Sequence, residues 1–248
     1  KFMSLNIKDF DVFHFEKIDS TNAIAKRFVE SGRDKNTIII ADEQTSGKTT
    51  KSTPWTSPKG NLYLTLMIKL NDGDEKFLPQ LSFISAISLV EAIQEVIKSK
   101  DIDIKIKWPN DLLLNGKKLS GILIERDEDF AIIGIGVNTE SSPDASLTRY
   151  PATSLKQENF VVNKDELAVE LCKKIIENIN DCKQNSFSKI IEKIKPFMFR
   201  LNSEISISVC GENMVGIFSG IAENGGLILQ IDGNKKTLLS GELTKENF

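Results

Sequence analysis

Between Ile104 and Asn138 the chain carries four strand-like runs separated only by short turns. They are Ile-Lys-Ile-Lys-Trp (104–108), Asp-Leu-Leu-Leu (111–114), Lys-Leu-Ser-Gly-Ile-Leu-Ile-Glu-Arg (118–126) and Phe-Ala-Ile-Ile-Gly-Ile-Gly-Val-Asn (130–138). Pro109-Asn110, Asn115-Gly116 and Asp127 to Asp129 part them, and Asn-Gly is a strong hairpin signal. A sheet is therefore the centre of the fold. Earlier in the chain, Phe13 to Glu16 and Asn36 to Ala41 read as strands, the second fully buried. Residues 61–70 alternate and read as another. Two helical patterns intervene. One runs from a cap at Asp19 or Ser20 to a stop at Gly32, and the other from Pro79 to Lys98. The second has Leu81, Ile84, Leu89, Ala92, Ile93 and Val96 as core positions. Helices are also expected at about Lys164 to Asn180 and Ser186 to Ile194. After Pro196 the pattern becomes short strands joined by Gly-Glu-Asn, Glu-Asn-Gly-Gly and Asp-Gly-Asn turns. The expectation is an α/β (α+β) domain over residues 1–200, with a mixed sheet backed by helices, and a small all-β module over 201–248. That module is marginal alone and should pack on the first domain.

The bulk numbers exclude several classes of function. Net charge is −3, which argues against non-specific nucleic-acid binding. Cys172, Cys182 and Cys210 are odd in number and widely spaced, so neither a disulfide framework nor a zinc site is indicated. All three are expected to be reduced and buried. No run of 18 apolar residues and no signal peptide is present, so no membrane role is expected and the default compartment is the cytoplasm. His14 is the only histidine and sits in an alternating strand, which makes a Ser-His-Asp triad improbable.

The longest stretch without apolar period, Asp42 to Gly60, is a loop of functional length. It holds Ser46-Gly-Lys-Thr-Thr-Lys-Ser-Thr-Pro-Trp55. Gly47-Lys48-Thr49 resembles the end of a P-loop, but that motif needs a glycine at position 42, which is Asp42, and a following helix, which Pro54 and Pro58 prevent. Gly134 and Gly136 lack the third glycine and the helix of a dinucleotide fingerprint. Taken singly, Ser20-Thr21-Asn22 is a helix cap, Lys107 to Asp111 a strand end with Trp108 as core, and Gly116 to Gly121 a solvated hairpin.

Order and spacing lift these segments above such readings. Ile-Asp-Ser-Thr-Asn (18–22), Ala-Asp-Glu-Gln-Thr-Ser-Gly-Lys (41–48), Trp-Thr-Ser-Pro (55–58), Gly-Asn-Leu-Tyr-Leu (60–64), Lys-Trp-Pro-Asn-Asp-Leu-Leu-Leu-Asn-Gly-Lys-Lys-Leu-Ser-Gly-Ile-Leu-Ile-Glu (107–125), Gly-Ile-Gly-Val-Asn (134–138) and Ser-Gly-Glu-Leu (240–243) occur in that order. The set resembles the biotin protein ligase family over nearly the whole chain. The resemblance implies that the all-β module is SH3-like. It also implies ATP-dependent ligation of biotin to a lysine of a biotin carboxyl carrier domain through biotinyl-5′-AMP, with biotin, ATP and Mg²⁺ as the small molecules. It assigns Ser20, Thr21, Asn22, Gln44, Gly47, Lys48, Thr49, Thr50, Lys118 and Gly121 to biotin. It assigns Lys48, Trp55, Asn110, Asp111, Lys118 and Asn138 to the nucleotide. Lys118 is the cation where carboxylate and phosphate meet, and Asp111 is a candidate Mg²⁺ contact and a candidate helper for the acceptor amine. Lys117, on the opposite strand face, is expected to matter far less. The helix-turn-helix domain of bifunctional relatives has no room before Ile18, so DNA binding is not expected. A homodimer formed through sheet edges is compatible with the family.

One departure stands out. The resemblance implies alternating glycine and arginine after Gly47, and here Lys48, Thr49, Thr50, Lys51, Ser52 and Thr53 follow. Lysine is a point charge where arginine is a planar fork, and Thr50 carries no charge. Weaker retention of the adenylate is the expectation. The rivals are a lipoate or octanoate ligase or transferase of the same fold, and a non-catalytic biotin-binding protein.

Overall fold

The computed structural model describes residues 7–50, 54–144, 148, 150–244 and 247. Lys51, Ser52 and Thr53 of the departing loop lie outside them. The chain builds β1 (Asp11–Phe15), α1 (Thr21–Glu30), β2 (Thr37–Ala41), β3 (Leu62–Lys69), α2 (Leu78–Ile97), β4 (Ile104–Lys107), β5 (Asp111–Leu114), β6 (Lys117–Asp127), β7 (Phe130–Val137), α3 (Lys164–Asn185) and α4 (Phe187–Ile194). The small strands β8 (Glu204–Val209), β9 (Glu212–Ile221), β10 (Leu227–Ile231), β11 (Asn234–Leu238) and β12 (Glu242–Leu243) follow.

The first sheet has seven strands in the order β1-β2-β3-β7-β6-β5-β4. β1 and β2 are parallel and the other neighbours antiparallel, so the sheet is mixed as expected. β5 and β6 are joined at Asn115 and Gly116, both at positive φ (50° and 76°), which matches a primed hairpin turn. α1 lies on one face. Its Ala25 and Val29 are buried with Ile39, Met67, Phe130 and Ile132. α2, α3 and α4 cover the other face, where Ile84, Leu89, Ile93, Leu171 and Ile175 join Leu64, Leu66, Ile106 and Ile133 in the main core.

Burial on both faces corrects the reading of residues 61–70. Leu62 to Met67 are all buried, so no face of this central strand meets solvent. Thr65, in the middle of the strand, points into the α1 side and is fully buried. α2 is long and apolar enough to cross a membrane, but it is mostly buried between the sheet and α3. Of the cysteines, Cys172 and Cys182 are buried, while Cys210 is exposed, contrary to expectation. It sits with Gly211 in the β8–β9 turn at positive φ, where its side chain is turned out of the core.

The five small strands form an antiparallel sheet in the order β11-β10-β9-β8-β12. Its Ile207, Phe218, Leu227 and Leu229 belong to the same core as the first sheet. Polar ties support that packing. Gln80 Nε2 donates to Glu223 O (2.9 Å) and Trp108 Nε1 to Gly225 O (3.2 Å).

Candidate active site

A cleft of about 460 Å³ opens on the α1 face of the first sheet. Nearly every residue named from sequence lines it: Ser20, Thr21, Asn22, Gln44, Lys48, Thr49, Thr50, Trp55, Asn110, Asp111, Lys118, Gly121 and Asn138. Gly47 is buried just behind. Its missing side chain is required, because a Cβ there would stand 2.7 Å from Ser57 Oγ and 2.8 Å from Trp55 O. The Gly47 carbonyl accepts from Trp55 N (2.8 Å), which closes the neck of the loop.

One end of the cleft is a hydrogen-bonding floor. Ser20 caps α1, accepting from Ala23 N, and so brings Thr21 and Asn22 to the start of the helix. Gln44 Oε1 accepts from Thr21 N (2.8 Å), and Gln44 Nε2 donates to Ser57 Oγ (3.1 Å). Asn22 Nδ2 donates to Glu125 (2.7 Å), and Asn22 Oδ1 accepts from Thr65 Oγ1 (2.6 Å). Gly134 of β7 makes room for this amide, with which a Cβ at that position would collide.

The middle of the floor is a strip of glycines covered by an indole. Across the sheet, Gly136, Gly121 and Asp111 stand opposite one another on β7, β6 and β5. The Trp55 indole lies over the two glycines. A Cβ at Gly136 would be 2.7 Å from Trp55 Nε1, and one at Gly121 would be 3.0 Å from the ring. Here the room at Gly121 is taken by the indole. The Trp55 Nε1 and Asn138 Oδ1 atoms are buried without a hydrogen-bond partner among the described residues. Asn138 Nδ2 donates to Thr153 O (3.0 Å).

At the other end stands a charge cluster. Asp111 is buried, 2.7 Å from Lys118 Nζ and 3.2 Å from Lys107 Nζ. Burial pushes the Asp111 carboxyl up, but the Lys118 and Lys107 ammoniums outweigh it and hold the group below the usual carboxylate range. Lys118 owes its direction to a β-bulge. Leu112 pairs with Ser120 while Leu113 pairs with Lys118, so Leu119 is an extra residue on β6. The bulge keeps Lys118 on the cleft side with Gly121. Lys117 faces outward to Glu158 (3.1 Å), as expected of its opposite-face position.

Among the described residues no group of three His, Cys, Asp or Glu could hold a metal by itself. The Lys107 and Lys118 ammoniums are both turned to Asp111, whose carboxylate thereby fixes Lys118. Asn110 is likewise partly structural, since its Nδ2 donates to Ile122 O (2.8 Å). His14 lies away from the cleft residues, 3.2 Å from Asp42, which also takes Lys164 at 2.6 Å.

Sequence reasoning assigned no individual role to Lys107 and Glu125, which stand at the two ends of the 107–125 motif, and none to Thr65 and Tyr150. Tyr150 lines the cleft and donates to Leu243 O (2.6 Å), while the Lys107 ammonium stands 5.0 Å from its ring centre. The available signals were a threonine at the centre of a mostly apolar strand, an acid closing an apolar run, and a lysine four residues from Asp111.

With this geometry in view, comparison with known proteins gives a consistent result. The sequence model of the biotin/lipoate A/B protein ligase family matches residues 14–138. A Paracoccus denitrificans protein named biotin–[acetyl-CoA-carboxylase] ligase is 30% identical over 92% of this chain and 97% of its own length. The Bacillus subtilis bifunctional ligase/repressor BirA is 27% identical over 94% of this chain and 73% of its own. Among solved structures, the biotin protein ligase of Aquifex aeolicus in complex with biotin and ATP has a TM-score of 0.81 at 29% identity. That match covers 94% of this chain and 97% of the other.

Proposed function

Because the chain belongs to the biotin/lipoate A/B protein ligase family, we propose that it activates biotin with ATP and transfers it to a lysine of a biotin carboxyl carrier domain. The observation that carries this reading is one cleft with two chemically different ends. A neutral hydrogen-bonding floor lies at Ser20, Thr21, Asn22 and Gln44, and a cation at Lys118 is locked by Asp111. The floor suits a cyclic urea. The apolar indole of Trp55, seated on Gly121 and Gly136, suits contact with the sulfur ring and the acyl chain. Lys118 then stands where the biotin carboxylate and the α-phosphate of ATP would meet.

In the first half-reaction a carboxylate oxygen attacks the α-phosphorus and pyrophosphate leaves, giving biotinyl-5′-AMP. Lys118 neutralises charge that gathers on the reacting oxygens, and Asp111 with Lys107 holds it in place beforehand, which is the useful form of electrostatic catalysis. In the second half-reaction the neutral acceptor amine attacks the acyl carbon and AMP leaves. No enzyme nucleophile is needed. The buried Asn138 Oδ1, without a partner among the described residues, suits the exocyclic amine of adenine. Mg²⁺ enters with the ATP phosphates as part of the substrate. Lys48, Thr49 and Thr50 border the cleft and are assigned to cover the adenylate.

The same reading divides the chain at 200/201 and takes the second sheet as the SH3-like module. It places the reaction in the cytoplasm, in keeping with the free cysteines, and includes no DNA binding, in keeping with the net charge. Incubation with biotin, MgATP and a carrier domain, followed by intact mass, tests it. Mass addition of biotin on one lysine is expected. Addition of lipoate or octanoate in place of biotin would favour the rival ligase reading, and biotin binding without adenylate would favour a non-catalytic binder.

A further inference from the structure

The biotin floor contains a chain of hydrogen bonds whose direction is dictated from its far end. Glu125 lies on β6, outside the cleft lining, with its side chain 29% exposed. One carboxylate oxygen takes Lys26 Nζ at 2.6 Å and the other takes Asn22 Nδ2 at 2.7 Å. Burial pushes this carboxyl up, but the bonds from Lys26 and Asn22 and the charge of Lys26 outweigh it and keep the group ionised. An ionised carboxylate only accepts, so the Asn22 amide must turn its nitrogen to Glu125 and its oxygen to Thr65. That oxygen also only accepts, and Thr65 Oγ1 stands 2.6 Å from it. A hydroxyl has one proton, and Thr65 has therefore committed its own to Asn22. Thr65 Oγ1 is also 2.8 Å from Thr21 Oγ1, so the proton between the two hydroxyls comes from Thr21. The alternative for the Thr21 proton, Gln44 Oε1 at 3.2 Å, is longer and already accepts from Thr21 N.

We infer that Glu125 is a positioning residue for biotin: acting through Asn22 and Thr65, it leaves Thr21 Oγ1 as an acceptor toward the cleft, selecting a ligand that presents an N–H there. This rests on the reading of the floor as the site of the cyclic urea. A ureido N–H supplies such a donor, whereas a dithiolane ring does not. Lys26 keeps Glu125 charged, and Gly134 lets Asn22 approach.

Glu125→Gln tests the direction of the chain. A glutamine can offer its own N–H to Asn22, which allows the amide to flip, Thr65 to donate to Thr21, and Thr21 to face the ligand with a proton. Loss of one polar bond corresponds to about a 5- to 10-fold weaker Kd for biotin. ATP affinity, measured in the same calorimetric series, should stay within twofold. The decisive arm is a double-mutant cycle with Thr21→Val. If Glu125 acts through Thr21, Glu125→Gln should change biotin affinity less than twofold in the Thr21→Val background. Thr65→Val, which cuts the chain in the middle, should reproduce the loss and serves if Glu125→Gln does not fold. Unchanged biotin affinity in both Glu125→Gln and Thr65→Val, or full additivity with Thr21→Val, overturns the inference. Absence of biotin binding by the unsubstituted protein overturns the functional reading itself, a distinct outcome.

Discussion

Asp111→Asn should be far more damaging than a change of one atom suggests. The Lys107 side chain is 5% exposed and Asp111 9%, and Lys118 shares the same carboxylate. The substitution leaves two ammoniums facing a neutral amide, one of them with almost no access to water. Removing one partner of a buried ion pair costs about 3–5 kcal/mol, because the remaining charge stays desolvated. For a chain of this size each kcal/mol moves Tm by roughly 2–4 °C, so a fall of about 6–20 °C is expected near neutral pH. The pH dependence has a definite sign. The folded-state pKa of Asp111 is lowered, so its contribution is complete above the unfolded carboxyl value of about 3.9 and is lost as pH falls through the folded value. The two proteins should therefore converge in Tm as the solution is acidified below about pH 4. Asp111→Asn combined with Lys107→Met should recover much of the loss, since one of the two ammoniums crowded at the neutral amide is gone. Thermal unfolding by circular dichroism over a pH series reads all three proteins. A Tm change under 2 °C at neutral pH (about 0.5–1 kcal/mol), or a gap that persists undiminished in acid, would refute the reasoning.

Three further outcomes are expected. Lys118→Ala should cut adenylate formation by about 10²- to 10³-fold while the protein stays folded, and near-normal pyrophosphate release would remove Lys118 from the mechanism. Thr50→Arg should slow dissociation of preformed biotinyl-5′-AMP, because it adds a charged fork beside the phosphate, and an unchanged release rate would make the loop composition neutral. Gly134→Ala should weaken biotin binding and lower stability by about 1–3 kcal/mol by driving a methyl into the Asn22 amide, and calorimetry with an unfolding curve would expose a silent substitution.

The parts of this molecule that were legible in its sequence are those governed by local rules. Asn115-Gly116 announces a primed turn because both residues tolerate positive φ, and Ser20 caps α1 because its hydroxyl can reach a free backbone N–H. The site residues were legible by resemblance, and the fold brings them to one cleft. What escaped notice depends on partners distant in the chain. Thr65 reads as the polar position of a half-exposed strand until α1 is placed above it. Glu125 needs Asn22, 103 residues away, to have a meaning. The ion pairs of Asp111 escaped notice too, because nothing in the local sequence says that two lysines would converge on it.

The bulge at Leu119 sets the terms on which this site could be moved to another protein. Two adjacent lysines compete for the inward place, and the winner is chosen by a count of backbone residues, not by side-chain chemistry. In a regular antiparallel pairing, counting back from Gly121 with Leu119 retained, Lys117 would face the cleft and Lys118 the solvent. A designer who copied Asp111, Lys118 and Gly121 onto an ideal hairpin would thus install the wrong amine without altering a single residue. The smallest portable unit is the β5–β6 ribbon with its irregularity intact.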